Sequence, residues 1–531
     1  MKKQIVLLLV LISLFPGAKA QKTINSNTKS INVFVNRQLI DWTISSEVNP
    51  NRLEVYCSKE RNEVKFQTDI DSAFFTVRKN DTIRFRIILK SKDTARTEIV
   101  GIKDLPNKIT KNEKVYWLSQ IWSEIKYNFV NIDRINFDLD SLYKSYIPLV
   151  LKTENDYEYY MILKKFMACM HDGHTQILGD IGDYFDYIPI SFQDFNRKVY
   201  ITSVRKTGKS DSTWVGAELI EVEGIPTTQY LESRIFPYVS ASTDQSLWMQ
   251  GVPTLGSGLK EVPFKGSIRK RDGTIVKLNL PRNGEATRTP QDENWGPKKT
   301  YTRSIVDLTW KPNDIALVRF NRFSPEAQAI KQFDQVAKEL DHAKGVIIDL
   351  RKNGGGVTEV ALHLQKYLTK GNQFLNFGAE TRINDGYGKS QGNYREKYKN
   401  YFLNRAYRLE KPEAIDVSDT IKRINCPTVI LIGQYTFSAA EDFLVNIYEV
   451  PNRPKLIGEE TGGSSGAPLV IPGLPEGLGS RICTVRTCYP ISGKRFVNSG
   501  VKPDIEVKQT IEDYLNGRDV VLERAITELT K

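Results

Sequence analysis

The stretch TVILIGQYTFSAAED, Thr428 to Asp442, decides how this chain is read. Val429, Ile430, Leu431 and Ile432 form an uninterrupted apolar run, the pattern of a strand buried on both faces. Gly433 ends the run. Ser438 stands where the spacing of Ala439, Ala440, Phe443, Leu444 and Ile447 predicts the start of a helix. A serine between a buried strand and a helix has two possible tasks. Its hydroxyl can cap the helix by accepting a backbone N–H, or it can be a nucleophile at a sharp turn, with backbone donors beside it for a developing oxyanion.

Outward from this unit, strands and helices alternate. Upstream the pattern predicts a strand over 315–320, a helix over 325–340 with Ser324 as its cap, a buried strand over 345–350 and a helix over 357–368. Residues 372–419 are polar and tyrosine-rich and read as a surface insertion or lid. Downstream come a strand at 455–458, the small-residue loop 459–466, a strand over 481–489, a turn at 498–504 and a closing helix from Ile511. The alternation predicts an α/β fold over 300–531, with the loops at the carboxyl ends of parallel strands forming the site. Three of those loops stand out: 353–356, 436–439 and 459–466. Gly354, Gly355 and Gly356 are consecutive, which costs chain entropy and implies a need for bare backbone. The spacings GxxxxGK[ST] and GxGxxG are both missing there, so a nucleotide cofactor is not supported and none is predicted.

Residues 186–285 are β-rich, and Val215-Gly-Ala with Val222-Glu-Gly resembles a PDZ module, which takes an extended peptide by strand addition. Within it, 227–235 reads as a helix and the small residues of 251–258 as a mobile loop. Over 111–180 the period is helical: Val115, Leu118, Ile121, Trp122 and Ile125 share one face, and Tyr157, Tyr160, Leu163, Phe166 and Met167 another. These helices lead to His171-Asp-Gly-His-Thr175. Three readings stay open for it: half a metal site, a structural turn, or a turn presenting His174 as a general base. No further ligand cluster accompanies it, so no metal is predicted. Residues 21–105 alternate in short runs and read as a small antiparallel β domain.

The first twenty residues differ. Lys2 and Lys3 precede an apolar core from Ile5 to Phe15, and Ala18-Lys19-Ala20 has the small-x-small form of a cleavage site. This predicts a signal peptide over 1–20. No cysteine follows it to take a lipid, and no later run reaches transmembrane length, so stable membrane insertion is not predicted. The expectation is an exported protein, periplasmic or extracellular. A chain of 531 residues, 40% hydrophobic and 26% charged, calls for several globular domains. Its net charge of +12 is spread without a basic block, which argues against nucleic acid as a partner. Five cysteines in such a length are no disulfide framework.

Taken as an ordered set, LRKNGGG (350–356), TFSAAED (436–442), GEETGG (458–463) and GVKPD (500–504) resemble the tail-specific, or C-terminal-processing, serine peptidases of family S41. DGHT (172–175) resembles the tricorn-like branch of that family. The resemblance implies a ClpP/crotonase-like catalytic domain, polypeptide substrates and Ser438 as nucleophile. It places the oxyanion hole at the Ala439 N–H and a glycine of 354–356, with Gly355 as the donor and Gly354 and Gly356 lining the substrate. Many members use a lysine in the loop after the GE motif, but this chain has Ser464 at that position and no lysine from 459 to 466. The tricorn-like pattern instead takes a histidine from the DGHT position, and this resemblance implies His174 as the general base. For the group that orients it, Asn498, Glu460, Glu441 and Asp172 are the candidates. The rival expectation is a silent member that binds peptides or other ligands through the same cleft. An α/β-hydrolase elbow is excluded, because GxSxG does not fit Thr436-Phe-Ser-Ala-Ala440.

Overall fold

The computed structural model describes residues 107–179, 184–208, 210–260, 262–282, 284, 294–297, 304–474 and 478–531, together with seven strands between Thr28 and Ile99. The chain divides into two units, Met1–Pro106 and Asn107–Lys531. The expected leader lies outside the described residues. In the first unit, Thr28–Val35, Gln38–Ser45 and Ser72–Phe75 make one sheet. Arg52–Lys59, Asn62–Thr68, Arg84–Lys90 and Arg96–Ile99 make another.

The second unit opens with three helices, α1 (Lys111–Asn128), α2 (Leu139–Lys152) and α3 (Asp156–Ala168). Each starts at a side chain that accepts an otherwise unpaired N–H: Thr110 in a capping box with Glu113, Asp138, and Asn155. Leu118, Ile121 and Ile125 of α1 meet Tyr159, Leu163 and Phe166 of α3 in one core. That core also takes in Ile471, Ile482 and Cys483 from the far end of the chain. Each such aliphatic or aromatic side chain stabilises the docking by roughly 1.5–3 kcal/mol.

Strands Ile190–Phe195, Lys198–Arg205, Glu218–Val222, Phe264–Arg269 and Ile275–Leu280 then form the path of a seven-stranded sheet with its own core. The expected mobile loop at 251–258 is instead ordered structure. A helix runs Asp244–Gly251, a 3-10 turn follows, and Ser257–Leu259 pairs with Phe185–Tyr187. Trp248, Val252 and Leu255 are buried there, and a Cβ on Gly256 would stand 3.1 Å from Ile190 O. The helix expected over 227–235 runs only Thr227–Tyr230, and Leu231–Ile235 continues as a wider turn.

The α/β sheet has six strands in the order β1 (Val306–Lys311), β2 (Ile315–Phe320), β3 (Gly345–Asp349), β4 (Thr428–Ile432), β5 (Lys455–Gly458) and β6 (Ile505–Glu506). β1 and β2 are antiparallel and the remaining pairs are parallel. Alternate residues serve opposite faces. Val318, Ile348 and Ile430 pack under α4 (Glu326–Glu339), α5 (Thr358–Leu368) and α6 (Ala439–Tyr448). Leu317, Ile347 and Leu431 pack against Val521, Leu522 and Ala525 of α7 (Val520–Leu529). Burial on both sides explains the uninterrupted apolar run at 429–432. The expected cap of α4 by Ser324 is not made: Pro325 takes the cap position without a side-chain bond.

Residues 372–419, expected as a surface insertion or lid, carry strand pairing of their own. Gly378–Arg382 pairs with both Tyr407–Glu410 and Val485–Cys488. The strand expected over 481–489 is two, Leu478–Cys483 and Val485–Cys488, which pair with different partners. Arg486, 1% exposed, bonds Asp133 at 2.8 Å and Glu380 at 2.5 Å, fastening the α1–α2 connection to this strand. Removing the buried cation would leave Glu380 to Arg495 at 2.8 Å and Asp133 with Arg495 only at 4.0 Å, so a partly buried carboxylate loses its close partner. Arg486→Met is therefore expected to cost about 2–4 kcal/mol in denaturant unfolding of the second unit.

Candidate active site

Thr436 and Asn353 shape the turn that carries Ser438. The Thr436 hydroxyl donates to Leu350 O at 2.9 Å and accepts the Gly433 N–H at 3.1 Å, closing β4 against the loop after β3. Asn353 Nδ2 donates to Phe320 O at 2.9 Å, while its carbonyl accepts the Phe437 N–H at 3.1 Å. Ser438 is left at φ 57°, ψ −128°, a conformation that costs a non-glycine residue about 1–3 kcal/mol. Its side chain makes no cap bond; its carbonyl instead accepts the N–H groups of Glu441 and Asp442. The hydroxyl is thus free of the capping role and half-exposed at the start of α6.

His174 meets it. Its Nε2 lies 3.0 Å from Ser438 Oγ, across 264 residues of sequence. Three fastenings place the imidazole. Asp172 accepts the His174 N–H at 2.9 Å. The Thr175 hydroxyl accepts the Cys483 N–H at 3.0 Å, and Gln176–Gly179 pairs with Leu478–Cys483. Phe437 stacks on the ring at 4.8 Å between centroids. Gly173 allows this, since a Cβ there would stand 3.0 Å from the Phe437 ring. His174 is 2% exposed. Burial, with the Arg481 charge adding to it, pulls its pKa down to about 3, so the ring is neutral at neutral pH.

At the other ring nitrogen, Nδ1 lies 2.7 Å from Ser464 Oγ. Neither Asn498 nor Glu460 reaches the imidazole. Asn498 is exposed in a left-handed turn at φ 54°, and Glu460 accepts the Gly500 N–H at 2.9 Å, pinning the 459–466 loop to that turn. Glu441, fully buried, accepts from the Thr461 hydroxyl, from Gly463 N–H at 2.7 Å and from Ser464 N–H at 2.9 Å. Burial pushes its pKa up to about 8 against those hydrogen bonds. Asp442, pushed up to about 6 by burial, takes the hydroxyls of Ser465 and Thr487. The sequence reading missed Ser464 as a partner of the imidazole. The available signal was the pair Glu441-Asp442 within an otherwise apolar helix, which requires donors from another segment.

Gly355 lies against the serine: a Cβ on it would stand 2.7 Å from Ser438 Cβ and from Phe437 O. Its own N–H is donated to Asn353 Oδ1 at 2.9 Å, which separates the expected oxyanion donor from its task. Gly354 and Gly356 are exposed, and among the described residues their amides and that of Ala439 have no backbone acceptor. Among the described residues there is no cluster of three His, Cys, Asp or Glu suited to a metal ion, and no helix is long and apolar enough to cross a membrane.

An α/β sheet that presents a serine–histidine pair beside bare backbone amides defines the class of this protein. Residues 314–507 match the model of peptidase family S41. Among curated proteins it is similar to the carboxy-terminal processing protease CtpA of Bacillus subtilis (strain 168), 28% identical over 272 residues. That match covers 51% of this chain and 50% of the relative, so the chain spans about half the length of the curated protein it matches. Among solved structures it is similar to mature CPAF, with TM-score 0.61 and 17% identity over 79% of this chain and 98% of the other. Mature CPAF complexed with lactacystin gives 0.59 and 16% over the same shares. At such identity these two likenesses speak to the fold.

Two outcomes follow from the site as built. Gly355→Ala places a methyl group inside contact distance at φ 90°, and is expected to cost about 1–3 kcal/mol in chemical denaturation. The depressed His174 pKa means that the unfolded chain takes up a proton, near pH 6.5, before the folded one does. Its contribution to stability is complete above about 6.5 and is lost as pH falls toward 3. Glu441 and Asp442, shifted upward, act in the opposite sense. The difference between wild type and His174→Gln isolates the histidine: wild type should lose more denaturation midpoint between pH 7.5 and 4.5.

Proposed function

We propose that this protein is an exported serine endopeptidase that cleaves polypeptides through an acyl-enzyme on Ser438, with His174 as general base. The observation that carries this reading is the 3.0 Å contact between His174 Nε2 and Ser438 Oγ. The imidazole is neutral, and in the tautomer with its hydrogen on Nδ1 the Nε2 lone pair faces the hydroxyl, which is the state a base requires. As Ser438 Oγ attacks a peptide carbonyl carbon, its proton passes to Nε2. The departing amine then takes that proton, and water attacks the ester by the same route in reverse. The Ala439 N–H supplies one oxyanion donor and the glycine loop the other; Gly354 and Gly356 have uncommitted amides, while that of Gly355 must first leave Asn353. Losing one such donor typically costs about 3–4 kcal/mol of transition-state stabilisation.

The remaining parts are assigned accordingly. Residues 1–20 direct export to the periplasm or beyond, and 21–105 form an accessory β domain. Residues 111–180 deliver the base, 186–285 act as a PDZ-like module for extended substrate chain, and 300–531 perform the chemistry. Support for a working link between module and site comes from Thr243 Oγ1, which donates to Gly462 O at 2.7 Å, and from Ser242 Oγ, which accepts the Gly173 N–H at 3.0 Å. Ser438→Ala should abolish labelling by a fluorophosphonate, and His174→Ala should slow peptide hydrolysis by at least about 10³-fold. A wild-type protein that neither labels nor hydrolyses an unstructured polypeptide would favour the silent, ligand-holding alternative.

A further inference from the structure

Three of Ser464's polar groups face the site or its support. Its Oγ stands 2.7 Å from His174 Nδ1, its carbonyl accepts the Ser438 N–H at 3.0 Å, and its N–H donates to Glu441 Oε2 at 2.9 Å. One residue therefore touches the base through its side chain and the nucleophile through its backbone. Ser464 is buried, 3% exposed, and its Cβ sits 3.3 Å from where a Cβ on Gly173 would be, so the hydroxyl has little room to leave the ring. For Nε2 to accept the Ser438 proton, the ring hydrogen must reside on Nδ1, and the acceptor that faces it is Ser464 Oγ.

We propose that Ser464 is the third member of the relay, a neutral positioning residue that fixes the tautomer and plane of His174. Glu441 positions Ser464 in turn, by holding the backbone of residues 461–464 from within α6. The inference rests on the functional reading above and names what orients its base. A hydroxyl does part of what a carboxylate would do. It selects the tautomer and ring orientation, but it brings no full negative charge to the imidazolium formed during attack. The groups that face His174 fit this description. Arg481 opposes a positive ring, Phe437 and burial offer it no counter-charge, and Asp172 spends its carboxylate on the His174 backbone N–H. Glu441 meets Ser464 at the peptide nitrogen, one residue removed from the ring. The relay is thus built for a base that stays neutral until substrate arrives.

The experiment follows the rate of Ser438 labelling by a fluorophosphonate, and kcat and KM for an unstructured polypeptide, from about pH 2.5 to 9, a window that takes in a base held near 3. It compares wild type, Ser464→Ala, Ser464→Asp, Glu441→Gln and His174→Ala, with thermal melting of each as the folding check. Ser464→Ala removes one hydroxyl and keeps both backbone bonds. It is expected to lower kcat on the order of 10–100-fold with KM nearly unchanged. Ser464→Asp supplies the missing charge and should move the acidic limb of the labelling profile upward by about one pH unit or more, a shift that a merely structural role would not produce. Glu441→Gln should lower kcat like Ser464→Ala, because its amide cannot accept the Gly463 and Ser464 N–H groups together. The proposal is overturned if folded Ser464→Ala keeps the wild-type rate at every pH, or if Ser464→Asp leaves the acidic limb in place. If His174→Ala also labels at the wild-type rate, the assignment of the base itself falls. If only Ser464 proves indifferent, the base stands and this inference alone is lost.

Discussion

The structure depends on one docking event: the turn that carries His174 must be held against the strand pair that ends near Cys483. Two interactions of different kind do this. The core shared by α1, α3, Ile471 and Ile482 brings the segments together without direction. The Thr175–Cys483 hydrogen bond and the ladder from Gln176 to Arg481 then fix register. Register matters because a slip of one residue in a strand turns every side chain to the other face. Apolar burial supplies the stabilisation and the ladder supplies the placement.

On the opposite side of the site, backbone geometry takes the place of side-chain packing. Ser438 is held in a conformation that favours glycine, against a glycine loop that approaches closer than any side chain would permit. Such a conformation persists only where its surroundings over-determine it. Here the Thr436 hydroxyl, the Asn353 backbone carbonyl and the Ser464 carbonyl each restrain the turn independently. The cost of the turn is spread over a rigid sheet, and the hydroxyl at its apex has no local partner to occupy it.

Buried carboxylates complete the scheme. Glu441 and Asp442 sit at the start of α6, where the helix dipole favours negative charge, yet burial opposes it. Hydroxyl and N–H donors from the 461–465 loop and from Thr487 compensate them. These acids tether the loop whose Ser464 reaches the imidazole. They stand behind the reacting groups, three and four residues after the serine, and their carboxylates bond the loop rather than the serine hydroxyl or the imidazole.

Much of this was legible in the residues themselves. The apolar run at 429–432 implied a strand covered on both faces, the break at Gly433 and the helical spacing from Ala439 implied the turn, and three adjacent glycines implied close approach of backbone. Each of those signals is local, because it records what a residue's immediate neighbours in sequence demand. The identity of the imidazole's second partner is not local. Ser464 lies 290 residues from His174 in sequence, and a serine in a small-residue loop carries no mark that separates an acceptor for a ring N–H from a loop hydroxyl in water. Asn498 and Glu460 looked equally suited by residue type. Only the packing of the 459–466 loop over α6 decided among them, because a hydrogen bond depends on distance and direction, and these arise when segments remote in sequence share one core.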